Sequence, residues 1–354
     1  MNSKKNEVGF LLLVVITITA VLVLSTIITL SVVMIKDKNA TLPDKDSDKA
    51  VSTEDKETEN SVQVNASVTP KPTMPSRSSY IIGTADNVTL IDNIKSKNTI
   101  LVELDSFTSI AEKGADEKMY PASMTKVMTL IVACENIKNL NEKLTVTQEI
   151  ADYMKDNDGS GAGLKIGESY LIEDLLYLIA YQSDTMACLL IADHVAGSEE
   201  AFVALMNKKA SNIGLSSTHF TNCTGLYNAE HYTTCREMAS IMAYAMDNEL
   251  AYKCLSSYRG RPMTVGGVNC TFYANWYSGR GRFADNPKLK TVTVVAGKTG
   301  YTDESGFTFV TVAEGKNGKT YINVTVGLPK GSGLSETMLT DEVKKVYNTY
   351  VPTK

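Results

Sequence analysis

Ser123 and Lys126 are the residues of this 354-residue chain whose types and spacing could support nucleophilic catalysis. Pro121 favours the first turn of a helix, and the apolar run over residues 127–134 predicts that this helix is buried. Residues three apart on a helix share a face, so the hydroxyl and the amine are predicted to meet. Burial disfavours a charged amine, and Lys126 would then act as the base for Ser123. The alternative is a chance string, with Ser123 as an N-cap and Lys126 as a surface lysine.

A second motif, Lys298-Thr299-Gly300, follows a predicted strand over residues 291–296. A lysine beside the nucleophile would supply a fixed positive charge for a substrate carboxylate, and a free strand edge could pair with an extended peptide. Gly300 would let the substrate approach the backbone closely. The alternative is an ordinary strand end with an exposed lysine.

Composition excludes several classes of function. The net charge of -5 and the pI near 5.4 give no basic footprint, so no nucleic-acid partner is predicted. The six cysteines form no CxxC pair and the three histidines are scattered, so neither a metal site nor a cofactor is predicted. Cys134 and Cys188 are predicted to be core residues, and pairing among the other cysteines stays open.

The N-terminal part of the chain predicts a membrane anchor and a tether. Residues 8–35 carry no charge and are long enough to cross a hydrocarbon core of about 30 Å. An uncleaved transmembrane helix is favoured over a signal peptide, with residues 1–7 as a short cytoplasmic tail. Residues 36–79 are rich in polar and charged residues and are predicted to be a disordered linker. The folded domain is predicted over residues 80–354.

The folded part predicts an α/β domain. Strand signals occur near both of its ends, and helical spacing dominates between them. Strands are predicted over 99–105, 109–113, 291–296, 306–313 and 320–328, and helices over 173–182, 186–196, 200–213, 236–246 and 336–347. We expect one sheet built from the two ends of the domain, flanked by helices, with an all-helical lobe inserted.

The two motifs together are more specific than either alone, and the chain resembles the penicillin-interacting serine transferases. Within them it is similar to the D-alanyl-D-alanine carboxypeptidases of the low-molecular-mass penicillin-binding proteins. The resemblance runs from about Thr99 to Lys330. It rests on residues 121–129, 164–168, 174–177, 193–198, 220–222, 225–226, 231–233 and 297–302. It implies a β-lactamase/transpeptidase-like sheet with a helical lobe, and an active site between them.

The resemblance also implies roles for individual residues. Ser123 is implied as the acylated nucleophile, Lys126 as its base, and Ser183 as a proton relay to the leaving amine. Lys298 and Thr299 would hold the terminal carboxylate of the substrate, and the backbone N–H groups of Ser123 and Tyr301 would form the oxyanion hole. The residues implied to bind substrate are Lys298, Thr299, Gly300, Tyr301 and Thr185.

Thr185 departs from the family pattern. The family has S-x-N at this point, whereas the chain has Ser183-Asp184-Thr185. Threonine offers one hydroxyl in place of an amide, so substrate binding or rate would be reduced. The family also has Asn-Asp where this chain has Thr185-Met186, which moves a charge to Asp184. We expect an active enzyme with an altered pocket, and the alternative is a catalytically weak peptidoglycan-binding homologue.

The resemblance implies a membrane-anchored serine peptidase that trims the terminal D-alanine of peptidoglycan stem peptides. The catalytic domain would then lie outside the cytoplasm of a bacterial cell, with β-lactam antibiotics as covalent inhibitors. Endopeptidase or transpeptidase activity stays open. A β-lactamase is disfavoured, because no glutamate between Ser183 and Lys298 has an asparagine four residues on.

Overall fold

The computed structural model describes residues 71, 78–258, 260–277, 283, 289–330 and 336–353. The predicted transmembrane helix over residues 8–35 and nearly all of the predicted linker lie outside this part of the chain. Within it, none of the helices combines the length and apolar character needed to span a bilayer.

The described part contains ten strands. Their bounds are β1 Gly83–Leu90, β2 Asn98–Glu103, β3 Thr108–Lys113, β4 Lys143–Thr145, β5 Ser169–Leu171, β6 Arg261–Val265, β7 Val268–Phe272, β8 Val292–Thr302, β9 Gly306–Gly315 and β10 Thr320–Leu328. Six of them form one sheet in the order β1-β3-β2-β10-β9-β8. The other four form two hairpin-like pairs, β4 with β5 and β6 with β7.

All of the described helices except the last lie between β3 and β8 in the chain, where the short strands β4 to β7 also occur. Their bounds are α1 Lys126–Asn136, α2 Gln148–Asp156, α3 Ile172–Tyr181, α4 Thr185–Ala196, α5 Glu199–Ile213, α6 Cys235–Asp247, α7 Glu249–Ser256 and α8 Glu336–Tyr350. The helices α6 and α8 pack on the central strand β10, and both α6 and α3 contact the helix α7. The predicted mixed α/β architecture is confirmed.

The centre of the sheet joins the two ends of the domain. Strand β2 pairs antiparallel with β10, and Val102 lies opposite Ile322. All six residues of β2 are buried, because strands at the centre of a sheet lose both faces to neighbouring layers. The buried amide of Asn323 donates to the carbonyl of Ile100 at 2.9 Å, which satisfies a polar group in this core.

Strand β8 lies at one edge of the six-stranded sheet. It pairs only with β9 in the described sheet, and Lys298 lies opposite Val310 in that pair. The Lys298-Thr299-Gly300 motif therefore lies within the strand rather than after it, which corrects the prediction from sequence. Pairing with β9 keeps the backbone extended through a glycine that weakens strand propensity.

Candidate active site

The nucleophile candidate lies on a short 3₁₀ turn, Ala122–Thr125, that runs directly into α1. Lys126 is the first residue of α1, and its Nζ donates a hydrogen bond to Ser123 Oγ at 3.2 Å. The structure therefore brings together the two side chains that the sequence places on one face.

Lys126 is buried, with a side chain that is 2% exposed. Its Nζ also donates to the carbonyl of Thr224 at 2.5 Å. Burial lowers the pKa of Lys126, and the charge of Asp184 opposes that shift. The alternative of a surface lysine is wrong, and the amine lies where its neutral form is favoured.

The loop that holds the carbonyl of Thr224 is organised by Asn222. Its Oδ1 accepts from the backbone N–H of Gly225 at 2.7 Å and of Thr224 at 3.2 Å. Gly225 has φ +82°, and a Cβ atom at this position would lie 2.0 Å from the carbonyl oxygen of Ala122. Only glycine fits between this loop and the backbone that precedes the nucleophile.

His231 holds the same turn from below. Its Nδ1 accepts from the backbone N–H of Thr221 at 3.1 Å, so its Nε2 carries the hydrogen and donates to Thr125 Oγ1 at 2.8 Å. Burial lowers the pKa of His231 to about 3, so the ring stays neutral near physiological pH. His231 is a positioning residue for the nucleophile turn rather than a metal ligand.

Lys298 lies on the facing wall, in strand β8, and is 1% exposed. Its Nζ donates to Ser183 Oγ at 3.0 Å and to the carbonyl of Thr299 at 2.8 Å. Ser183 has φ +57° and lies between α3 and α4. The alternative of an exposed lysine at a strand end is wrong, since the ammonium is held inside the site by two acceptors.

Gly300 brings strand β8 against the nucleophile turn. A Cβ atom at Gly300 would lie 2.6 Å from Thr308 Oγ1 and 2.8 Å from the backbone nitrogen of Ser123. Tyr301, the next residue, lines the cavity. The absence of a side chain at Gly300 therefore lets the backbone of β8 approach the backbone of Ser123 directly.

Thr185 is not one of the described residues that line the cavity. Its side chain is 1% exposed and packs against Gly159, where an added Cβ would lie 2.9 Å from Thr185 Oγ1. Its backbone N–H donates to the carbonyl of Ser160 at 2.8 Å. The structure thus places Thr185 behind the segment 157–162, whereas its position in the Ser183-Asp184-Thr185 motif predicts contact with substrate.

Asp184 supports the same segment. Its Oδ1 caps α4 by accepting from the N–H of Ala187 at 2.8 Å, and its Oδ2 accepts from the N–H of Ala162 at 2.6 Å. Burial raises the pKa of Asp184, and these hydrogen bonds together with the charge of Lys126 oppose the rise. Asp184 and Thr185 together fix the segment 157–162 to the corner that carries Ser183.

The two walls enclose a cavity of about 580 Å³. One wall is strand β8 over residues 299–302, and the other is formed by residues of the helical segments, including Ser183. Sequence reasoning missed Asn157, Asp158, Ser160, Asn275, Asp303 and Lys330, which also line it. They lie in irregular segments outside the two catalytic motifs, so no spacing or periodicity signals them.

Comparison with solved structures supports this fold. A variant of the Streptomyces K15 DD-transpeptidase matches with a TM-score of 0.63 at 25% identity, covering 73% of this chain and 98% of that one. A D-alanyl-D-alanine carboxypeptidase from Mycobacterium tuberculosis matches with a TM-score of 0.61 at 23% identity, covering 77% of this chain and 98% of that one. The architecture is that of the DD-peptidases.

Sequence comparison gives the family. The family model described as D-alanyl-D-alanine carboxypeptidase, peptidase family S11, matches residues 84–329. D-alanyl-D-alanine carboxypeptidase DacF of Bacillus subtilis is 31% identical over 259 residues, which cover 72% of this chain and 64% of that protein. DacA of Escherichia coli is 32% identical over 235 residues, which cover 63% of this chain and 54% of that protein. The chain belongs to peptidase family S11, and it spans between about half and two thirds of these relatives' length.

Proposed function

We propose that the protein is a serine-type D-Ala-D-Ala carboxypeptidase that trims the terminal D-alanine of peptidoglycan stem peptides. One observation carries this proposal: the buried amine of Lys126 lies 3.2 Å from Ser123 Oγ, and the buried ammonium of Lys298 lies 3.0 Å from the hydroxyl of Ser183, which lines the same cavity as Ser123. Ser123, activated by Lys126, can form an ester with the substrate. Lys298 can hold the free carboxylate that marks the C-terminus of a peptide.

The reaction runs in two steps. Ser123 Oγ attacks the carbonyl of the penultimate D-alanine while Lys126 takes the hydroxyl proton, and the N–H groups of Ser123 and Tyr301 stabilise the oxyanion. Ser183 passes a proton to the leaving amine, and D-alanine departs with its carboxylate from Lys298 and Thr299. Water then hydrolyses the ester and frees Ser123.

The experiment is mass spectrometry of a pentapeptide ending in D-Ala-D-Ala, incubated with the purified full-length chain in detergent micelles. We expect loss of one D-alanine, and a fluorescent penicillin should label the same protein covalently. The Ser123→Ala variant is expected to lose both activities because the attacking oxygen is gone. An intact peptide together with an unlabelled protein would favour the peptidoglycan-binding alternative, and rapid release of hydrolysed penicillin would favour a β-lactamase.

A second candidate is acyl transfer to an amine instead of water. One structural neighbour is named a DD-transpeptidase, and a Pseudomonas aeruginosa relative that is 24% identical over 221 residues is named an endopeptidase. The first step is the same for these activities. Adding an amine acceptor to the pentapeptide assay and weighing the products separates transfer from hydrolysis.

We also propose that residues 8–35 anchor the protein in the cell membrane, with residues 36–79 as a tether and the catalytic domain outside the cytoplasm. The support is the uncharged length of residues 8–35 and the extracytoplasmic location of crosslinkable stem peptides. Deleting residues 1–35 is expected to move the protein from the membrane pellet to the soluble fraction with its penicillin labelling intact. The full-length chain is the control, and a deletion variant that still pellets with membranes would contradict the anchor.

A further inference from the structure

The charged side chains in and behind the wall of the catalytic cavity differ in whether they already have a partner. Lys298 is held by Ser183 and by the carbonyl of Thr299. Lys330 lies 3.8 Å from Asp303, and Asp303 also accepts from the hydroxyl of Tyr301. In the described part of the chain, no cation or hydrogen-bond donor contacts the carboxylate of Asp158. Asp158 is exposed to solvent, and it is the one charged side chain lining the cavity that has no partner among the described residues.

The segment that carries Asp158 is held at a fixed place in the wall. Thr185 donates its backbone N–H to Ser160 and packs against Gly159, and Asp184 accepts from the N–H of Ala162. These contacts lie on both sides of the Ser160 position and join the segment to the corner beside Ser183. The carboxylate of Asp158 is therefore presented by a braced segment, which lowers the entropy cost of binding an opposite charge.

Asp158 lies on the wall that faces strand β8, across the cavity from the path expected for the peptide. With the terminal carboxylate at Lys298 and the scissile carbonyl at Ser123, the rest of an extended peptide runs along the free edge of strand β8. Tyr301 and the 157–160 segment line the cavity that this part of the peptide crosses. A side chain directed away from β8 would point to the wall that holds Asp158.

We propose that Asp158 is a specificity-determining residue that binds an ammonium group on the donor peptide, such as the side-chain amine of a diamino acid that precedes the two D-alanines. This inference rests on the proposed carboxypeptidase function and adds the charge of its preferred substrate. A carboxylate and an ammonium in a partly solvated cavity attract one another, and salt screens that attraction.

The test compares two acetylated pentapeptides ending in D-Ala-D-Ala, one with a free lysine amine at the third position and one with that amine acetylated. For the full-length protein in detergent, we expect kcat/KM for the free amine to be higher by about fivefold, mainly through KM. In Asp158→Asn this preference should disappear, and 0.5 M salt should reduce it in the wild type. Asparagine keeps the size of the side chain and tolerates the φ of +50° found at Asp158.

Asp156→Asn is the matched control, because it removes an exposed charge two residues away that does not line the cavity. A third peptide, with a free N-terminal amine and an acetylated lysine, tests whether the N-terminal ammonium is the bound cation. Equal cleavage of all peptides by the wild type would overturn the proposed role of Asp158, and so would an equal loss of activity toward all of them in Asp158→Asn. Neither result would contradict the carboxypeptidase function. Cleavage of none of them by the wild type would overturn the carboxypeptidase function.

Discussion

Replacing Lys126 with methionine is expected to lower the rate of Ser123 acylation by penicillin about 10²- to 10⁴-fold. Methionine matches the length of the lysine stem but cannot accept the hydroxyl proton, so Ser123 is left as an unactivated alcohol. The fold is expected to survive, since a buried amine is replaced by an apolar group. Loss of the hydrogen bond to Thr224 opposes that gain, and we expect the unfolding temperature to change by less than about 4 °C.

The pH dependence of acylation tests the same role. Only the neutral amine accepts a proton, so the rate should rise as pH increases through the pKa of Lys126. Burial lowers that pKa below the ordinary 10.5, and the rising limb should lie correspondingly below it. Between the lowered pKa and 10.5 the unfolded chain binds the extra proton, so the free energy of unfolding rises with pH across that interval.

Stopped-flow acylation measures both effects, and Lys208→Met is the matched control because Lys208 is exposed on α5. The Lys208→Met control should acylate at the wild-type rate, and that rate should rise over the same pH range as in the wild type. A Lys126→Met variant that acylates at the wild-type rate, or a wild-type rate that is flat with pH, would show that Lys126 is not the base.

Replacing Gly225 with alanine is expected to abolish penicillin labelling and to lower the free energy of unfolding by about 2–4 kcal/mol. The new methyl group would meet the carbonyl of Ala122, which is backbone and cannot rotate away. Either the 222–226 loop or the Ala122 peptide must move. The first movement withdraws the carbonyl of Thr224 from Lys126, and the second displaces Ser123.

Gly197→Ala separates this contact from the cost of the backbone angle. Gly197 has φ +80°, close to the +82° of Gly225, but a Cβ there would meet no atom within 4 Å. We expect this control to cost about 1 kcal/mol and to keep full labelling. Denaturant unfolding and fluorescent penicillin labelling measure the two effects. Equal behaviour of the two variants would show that φ, and not the contact with Ala122, is what requires glycine at position 225.

The sequence predicts the core of the fold well because its strands and helices bury periodic apolar faces. The predicted strand over residues 320–328 coincides with β10, and the predicted helix over 186–196 is α4 without its first residue. Gly197 and Gly214 end α4 and α5 in the left-handed conformation, as their places after apolar helices indicate.

Other elements left too little signal. Strand β1 is polar and largely exposed, so it has neither the alternation nor the apolar run of a strand. The part of β8 beyond residue 296 depends on its pairing with β9, which local propensity does not encode. The hairpin of β6 and β7 was not predicted, although the two-residue link Gly266-Gly267 between its strands is a local hairpin signal.

The active site likewise contains contacts that local sequence predicts and contacts that it does not. The meeting of Ser123 and Lys126 follows from helical spacing, which is local. The place of Thr185 follows from Gly159, a partner on another segment that no spacing rule connects to it. Asp158 lies in an irregular segment whose role emerges only when the cavity is assembled.

The pairing of β2 with β10 determines when the catalytic machinery can exist. The nucleophile lies in the first part of the domain, whereas Lys298 and β10 follow it in the chain and leave the ribosome after it. Contacts between such distant parts of a chain form late and slowly. A nascent chain that still lacks β10 therefore offers an antibiotic no reactive serine, and acylation can trap only a chain whose sheet has closed.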